Sequence, residues 1–209
     1  MGSTGTAAAH TDVDPLVLEN RRRILTAAEQ LISTLGIEKV RLRDIAKEAG
    51  VSIGKIQHYF ETRDAVIAEM LSAASLRRVA EWATYASGIE DPAARMTSLL
   101  EHAVTDRERC TVWLATTSVA SRNDQFLPDV VRTYEAWRSH LTDVIEAGCS
   151  EETFHPSTGI DEIVDSIICV IDGLMTAVAI DLDGYTHERN TRILRRIAGA
   201  LLDTQLEQQ

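Results

Sequence analysis

The chain has 209 residues, 44% of them hydrophobic and 5% aromatic, with 21 Lys and Arg against 32 Asp and Glu for a formal net charge of −11. That is enough chain for one larger or two smaller globular units with a buried core; no apolar run is long enough to span a bilayer, and the N-terminus lacks a charged-then-apolar signal pattern. The acidity argues against a nucleic-acid partner until its distribution is read: residues 20–65 carry nine Lys/Arg against six Asp/Glu, whereas 66–209 carry twelve against twenty-three. One basic segment sits inside an acidic chain.

In chain order, residues 1–18 read as a small-residue, disordered leader. Arg21, Arg22 and Arg23 stand at the start of a first helix that includes Ile24, Leu25, Ala27, Ala28, Leu31 and Ile32, up to Gly36. The arginines either solvate a helix start or meet phosphate. Residues 43–60 then read as two short helices joined by one tight turn. Ile45, Ala46 and Ala49 give the first helix its packed face, and Gly50 ends it where positive φ is needed. Ser52 is placed to cap the second, whose inner face is Val51, Ile56 and Phe60. Ile53, Gly54, Lys55, Gln57 and His58 point elsewhere. A glycine at 54 costs helix propensity, which makes sense where something bulky such as a sugar-phosphate backbone must approach. This is the pattern of a helix-turn-helix that enters the major groove.

The run Ile45-Ala46 through Ala49-Gly50-Val51-Ser52, Gly54, Ile56, Tyr59-Phe60 and Arg63 resembles the N-terminal domain of TetR-family transcriptional repressors, strongly over residues 20 to 70. The resemblance implies an all-α fold: a three-helix reading head at 19–65 and a helical bundle for ligand binding and dimerisation at 66–206. Where the family commonly has small hydroxyl residues before the second helix and an aromatic within the third, this chain has Val40, Arg41 and Gln57; the last suggests a different base preference. The expected DNA-contacting set is Arg43, Ser52, Ile53, Gly54, Lys55, Gln57, His58, Tyr59 and Arg63. Lys55 suits guanine O6/N7, Gln57 suits adenine N6/N7, and Ile53 suits a thymine methyl. Arg43, Tyr59 and Arg63 stand where the family's phosphate contacts do.

Thr62 is expected to cap a long helix over 63–86, with Val66, Met70, Leu71, Ala74 and Val79 as its apolar stripe and Gly88 beyond its end. Asp91-Pro92 starts another, carrying Met96, Leu99, Leu100 and Val104. Further helices are expected over 108–121 and from Pro128 to Ala147, with Gly148 as terminator. Asp161 should cap a segment over 163–180 that is apolar nearly all round, hence buried on more than one side. After Asp183-Gly184, the last helix spaces Ile193, Ile197 and Leu201 beside Leu194, Ala198 and Leu202. These two helices, over 161–182 and 187–206, are expected to form a homodimeric four-helix bundle through Gly173, Ala177, Ile197 and Leu201, with alanines 179, 198 and 200 allowing close approach.

Trp113, residues 132–138 and residues 171–174 are similar to the effector domain of the choline-responsive, betaine-pathway subgroup of TetR repressors. A small-molecule effector is expected between the helices at 92–121, 128–147 and 161–182, lined by Met96, Leu100, Trp113, Thr117, Trp137, Ile168, Asp172 and Met175. Asp172 amid aliphatic neighbours either meets a cationic ligand or accepts structural hydrogen bonds; Trp113 and Trp137 either wall a pocket or pack as core. Cys110, Cys149 and Cys169 lack metal or disulfide spacing and fit reduced thiols in a cytoplasmic protein, and no histidine pair has ligand spacing. Two classes stay open: a ligand-responsive homodimeric repressor of a palindromic double-stranded DNA operator, and a helical ligand carrier or enzyme with an incidental helix-turn-helix. No nucleophile–base pair, phosphate loop or carboxylate pair supports catalysis, and no cofactor is implied.

Overall fold

Side-chain caps set most of the helix starts. In a computed structural model describing residues 15–206, the helices are α1 (Pro15–Leu35), α2 (Leu42–Ala49), α3 (Ile53–Phe60), α4 (Arg63–Tyr85), α5 (Pro92–Ala103), α6 (Arg107–Ala120), α7 (Leu127–Ser150), α8 (Ile160–Ala179) and α9 (His187–Leu202), with one 3-10 turn at Asp124–Phe126. Ser52, Thr62 and Asp91 accept the backbone N–H groups of Lys55, Ala65 and Ala94 at 3.1, 3.1 and 2.7 Å, satisfying donors that a helix end leaves orphaned. Asp106 and Thr186 do the same for α6 and α9. No strand occurs among the described residues.

Several boundaries differ from the sequence expectation. α1 begins at Pro15, so residues 15–18 of the expected leader are helical; residues 1–14 lie outside the described part. Asp161 does not cap α8: the cap position is Gly159, without a side-chain bond, and Asp161 lies in the first turn, where a carboxylate favours the positive end of the helix dipole. Gly148 does not end α7. The helix runs on to Ser150, and the glycine's missing Cβ makes room for the ring of Phe154; a Cβ there would stand 2.1 Å from that ring. α9 stops at Leu202, with Asp203 left-handed at φ 46°.

α8 is apolar on one side only. Ile163, Val164, Ile167, Ile168, Ile171, Leu174 and Met175 are buried in the chain's own core, whereas Glu162, Ser166, Cys169, Gly173, Thr176 and Ile180, spaced three and four apart, are exposed. α7 is the hub, packed against α4, α5, α6 and α8, while α6 packs against both α8 and α1. The three N-terminal helices therefore rest on the remainder of the bundle through two helices, α4 and α6. A buried hydroxyl network fixes the α4–α7 register: Ser75 Oγ donates to the Asp129 carbonyl at 2.8 Å and lies 2.6 Å from Thr133 Oγ1, and Ser72 Oγ donates to the Asp129 carboxylate at 3.1 Å.

Candidate DNA-reading head and effector site

The turn between α2 and α3 follows from Gly50, which sits at φ 63°, ψ 39°, where a Cβ would be strained. The amide of Val51 donates back to the Ala46 carbonyl at 3.0 Å. With no hydroxyl at Val40 or Arg41 to cap α2, the carboxylate of Asp44 reaches back and accepts the Arg41 N–H at 3.2 Å. Ile45, Ile56 and Phe60 are buried beneath this unit. On the outer side Ser52, Ile53, Gly54, Gln57 and His58 are exposed, with Lys55 half-buried. Ile53 is 44% exposed, a large aliphatic side chain that the chain itself does not cover. A Cβ on Gly54 would meet nothing within 4 Å, so the space above it is open.

The basic residues differ in what they touch. Arg23 Nη2 donates to the Ala49 carbonyl at 2.7 Å, and Arg21 Nη1 donates to the Tyr59 carbonyl at 2.8 Å while its other amino group pairs with Glu69 and its guanidinium covers the Phe60 ring. Both hold the head together. Arg63, expected on the DNA, is likewise committed: Nε donates to the Val40 carbonyl at 2.6 Å, Nη2 to the Ile37 carbonyl, and Nη1 to Asp64 at 2.7 Å. Tyr59 is half-buried, its hydroxyl accepting from Asn20 Nδ2 at 3.4 Å. Arg22 and Arg43 are exposed: Arg22 pairs with Glu19 through bonds of 3.0 and 2.9 Å, whereas Arg43 makes only a 3.6 Å contact with Asp44.

In the effector domain three of the expected residues meet directly. Asp172 accepts from Trp113 Nε1 at 3.0 Å and from the Tyr134 hydroxyl. Trp113 and Trp137 have ring centroids 5.2 Å apart, Tyr134 lies 5.7 Å from each, and Trp82 lies 5.6 Å from Trp137. Burial, the Asp172 hydrogen bond and the Asp172 charge push the Tyr134 hydroxyl above its ordinary pKa, so it stays a donor to the carboxylate. The indole N–H groups of Trp82 and Trp137 are buried with no acceptor. Met96, Leu100, Ile168 and Met175 are buried core residues, and the Thr117 hydroxyl turns back on the carbonyls of Trp113 and Leu114.

Sequence reading left Tyr134 and Trp82 out of this cluster. Tyr134 stands three residues before Trp137 on α7, a spacing that puts both on one face. Trp82 continues a stripe through Leu71, Ser75 and Arg78, where two polar residues interrupt the apolar periodicity. Of the expected dimer residues, Gly173 is exposed and Ile197 and Leu201 half-buried, but Ala177, Ala179 and Ala198 are buried within the chain. Cys110 is buried, which pushes its thiol up to about 11; Cys169 is exposed.

An all-helical chain whose exposed helix-turn-helix is joined by one long helix to a bundle is a helix-turn-helix transcriptional regulator in its architecture. A family model described as "Bacterial regulatory proteins, tetR family" matches residues 24–70, and one described as "BetI-type transcriptional repressor, C-terminal" matches residues 92–203, more than half of the chain. The chain belongs to the TetR family of transcriptional regulators. It is similar to the HTH-type transcriptional regulator PksA of Bacillus subtilis (strain 168), 26% identical over 188 residues that cover 84% of this chain and 86% of that protein. Among solved structures it shares its fold with a putative transcriptional regulator from Saccharomonospora viridis in complex with choline, at TM-score 0.79 and 24% identity over 86% of this chain and 95% of that one. A TetR transcription regulator from Haloarcula marismortui aligns at TM-score 0.78 and 24% identity, covering 88% and 99%. No helix among the described residues is long and apolar enough to cross a membrane.

Proposed function

We propose that this TetR-family regulator is a cytoplasmic homodimeric repressor that binds a palindromic operator and is released by a cationic amphipathic inducer. The observation that carries the DNA reading is the outer face of α3: Ser52, Ile53, Gly54, Gln57 and His58 are exposed on a helix whose other face is locked into the head. Lys55 and Gln57 read bases from that face, and Arg43 positions the backbone. The reading head spans 19–65 and the effector and dimerisation unit 66–206. The outward stripe of α8, Ser166, Cys169, Gly173 and Thr176, together with Ile197 and Leu201 of α9, pairs with its two-fold copy. The two heads then read half-sites about 34–36 Å apart.

The inducer engages the Asp172 cluster. A quaternary or protonated amine takes the carboxylate and lies against the electron-rich faces of Trp113, Tyr134 and Trp137, as suits a chain sharing its fold with a choline-bound regulator. The two unpaired indole N–H groups suit a ligand that also carries a hydroxyl or carbonyl oxygen. Entry displaces the Trp113 and Tyr134 donors from Asp172, shifting α6 and α7, on which the head rests through α1 and α4. A differential affinity of about 1–3 kcal/mol between the two states is the usual scale for such control.

The test is reciprocal binding. With an operator footprinted upstream of the gene, choline and longer-chain quaternary amines are titrated into free and DNA-bound protein, and the factor by which ligand weakens DNA binding equals the factor by which DNA weakens ligand binding. Asp172→Asn abolishes the response to the cation. Unchanged cation affinity in that variant rejects the cationic inducer, and failure to protect any upstream DNA rejects the repressor reading.

A further inference from the structure

Below the head, between α1, α4 and α6, lies a cleft of about 280 Å³ that does not include Asp172. Most of its charges are paired across it. Arg77 Nη2 on α4 meets Glu29 of α1 at 2.5 Å, and Arg109 of α6 meets Glu81 at 2.8 Å and Asp106 at 3.5 Å. Arg78, between these pairs, is not matched: among the described residues no carboxylate lies within ion-pair distance, and the hydrogen bond it makes is a long one, from Nη2 to the Arg109 carbonyl at 3.3 Å. Desolvation pulls its pKa below the ordinary arginine value, with neighbouring Cys110, Glu81 and Asp106 only partly opposing the shift and Arg109 adding to it.

A guanidinium presents five donors in a planar fork and does not shed its proton at any physiological pH. Arg78 is half-buried, and a guanidinium partly out of water without a counter-ion is costly, whereas the same group met by a carboxylate in bidentate geometry makes one of the stronger contacts available to a protein. The rest of the cleft suits what would come attached to that carboxylate: Ala74, Val112 and Trp113 offer apolar lining, and the volume sits just under the usual range of small-molecule sites. Glu108 at the rim is exposed and carries no ion pair among the described residues, so it is a carboxylate free to compete for Arg78.

We propose that this cleft is a binding site for a small organic carboxylate, whose carboxylate group takes Arg78 while its apolar body rests on Ala74, Val112 and Trp113. The site stands independently of the cationic inducer, yet it adjoins it: the ring that walls the cleft belongs to Trp113, whose Nε1 donates to Asp172. It also lies against α1 of the reading head through the Glu29–Arg77 pair. An occupant would therefore touch the head, the linking helix and the wall of the effector cluster at once, making the regulator responsive to two ligands of opposite charge.

The test uses the full chain, sodium benzoate as probe, and benzamide as its neutral isostere, at constant ionic strength, read by tryptophan fluorescence and thermal melting. Benzoate should quench saturably and raise the melting temperature, with benzamide at least tenfold weaker. In Arg78→Met both benzoate effects disappear, and the ligand-free variant melts higher than the parent, because an apolar side chain of similar length replaces an unmatched, half-buried charge. Glu108→Gln, which removes the rim competitor, tightens benzoate. The proposal is overturned by equal binding of benzamide, by no response to benzoate, or by a benzoate response that survives Arg78→Met. It is overturned equally if ligand-free Arg78→Met melts lower, since the protein then compensates the charge by itself. None of these readouts involves DNA, so they fail or succeed separately from the repressor reading.

Discussion

Arg63→Ala decides whether the first residue of α4 touches DNA or builds the head. Its side chain is 32% exposed, and its Nε and Nη2 donors are spent on the carbonyls of Val40 and Ile37 in the loop between α1 and α2, with Nη1 on Asp64. Truncation removes two charge-assisted bonds, each worth roughly 1.5–3 kcal/mol in a buried setting. Because water reaches this part-exposed loop and replaces some of what is lost, the net destabilisation is about 1–3 kcal/mol. With an m-value on the order of 2 kcal/mol per molar urea, the unfolding midpoint falls by roughly 0.5–1.5 M. Operator affinity measured by fluorescence anisotropy from low to moderate salt should then weaken with an unchanged slope of log K against log salt, since no phosphate contact is lost. Arg43→Ala is the counterpart. Arg43 is exposed and holds only a 3.6 Å contact to Asp44, so its removal leaves the urea midpoint in place and flattens the slope by about 1. If Arg63→Ala instead flattens the slope with an unmoved midpoint, the assignment is reversed and Arg63 neutralises a phosphate.

Gln57→Ala should cost about 1–3 kcal/mol on the cognate operator and relax preference at one base pair; equal loss on random DNA in a competition shift would remove Gln57 from base readout. Gly148→Ala forces a Cβ to within 2.1 Å of the Phe154 ring, and since the ring is buried with nowhere to go, overpacking of about 1–3 kcal/mol outweighs the gain of up to about 1 kcal/mol in helix propensity, so the melting temperature falls. A stabilised variant would show that the ring can move freely. Leu201→Asp, on the half-buried face of α9, should yield monomers in sedimentation that bind operator poorly; a dimer of parental strength would move the interface elsewhere.

The reading head was legible in the sequence because its determinants are local. Gly50 needs positive φ, Ser52 and Thr62 cap their own helices three residues on, and Ile45, Ile56 and Phe60 fall at spacings that alone assign their face. Asp91-Pro92 worked for the same reason. Where an assignment depended on a partner distant in the chain, sequence gave the residue and not its role. Arg63 has the charge of a phosphate contact, and only the return of residues 37–40 beneath it turns that charge to carbonyls. Gly148 looks like a helix stop until Phe154 folds back over it. Ala177 and Ala198 have the small size of a close interface, but the azimuth of α8 and α9 on the bundle points them inward. Trp82, Tyr134 and Arg78 went unread because polar neighbours break their stripe and only tertiary packing sets what they face. Caps, turns and helical period act within a few residues, and the sequence by itself determined those; which side chain is spent on the fold and which is left for a ligand or a groove was decided by packing between helices far apart in the chain.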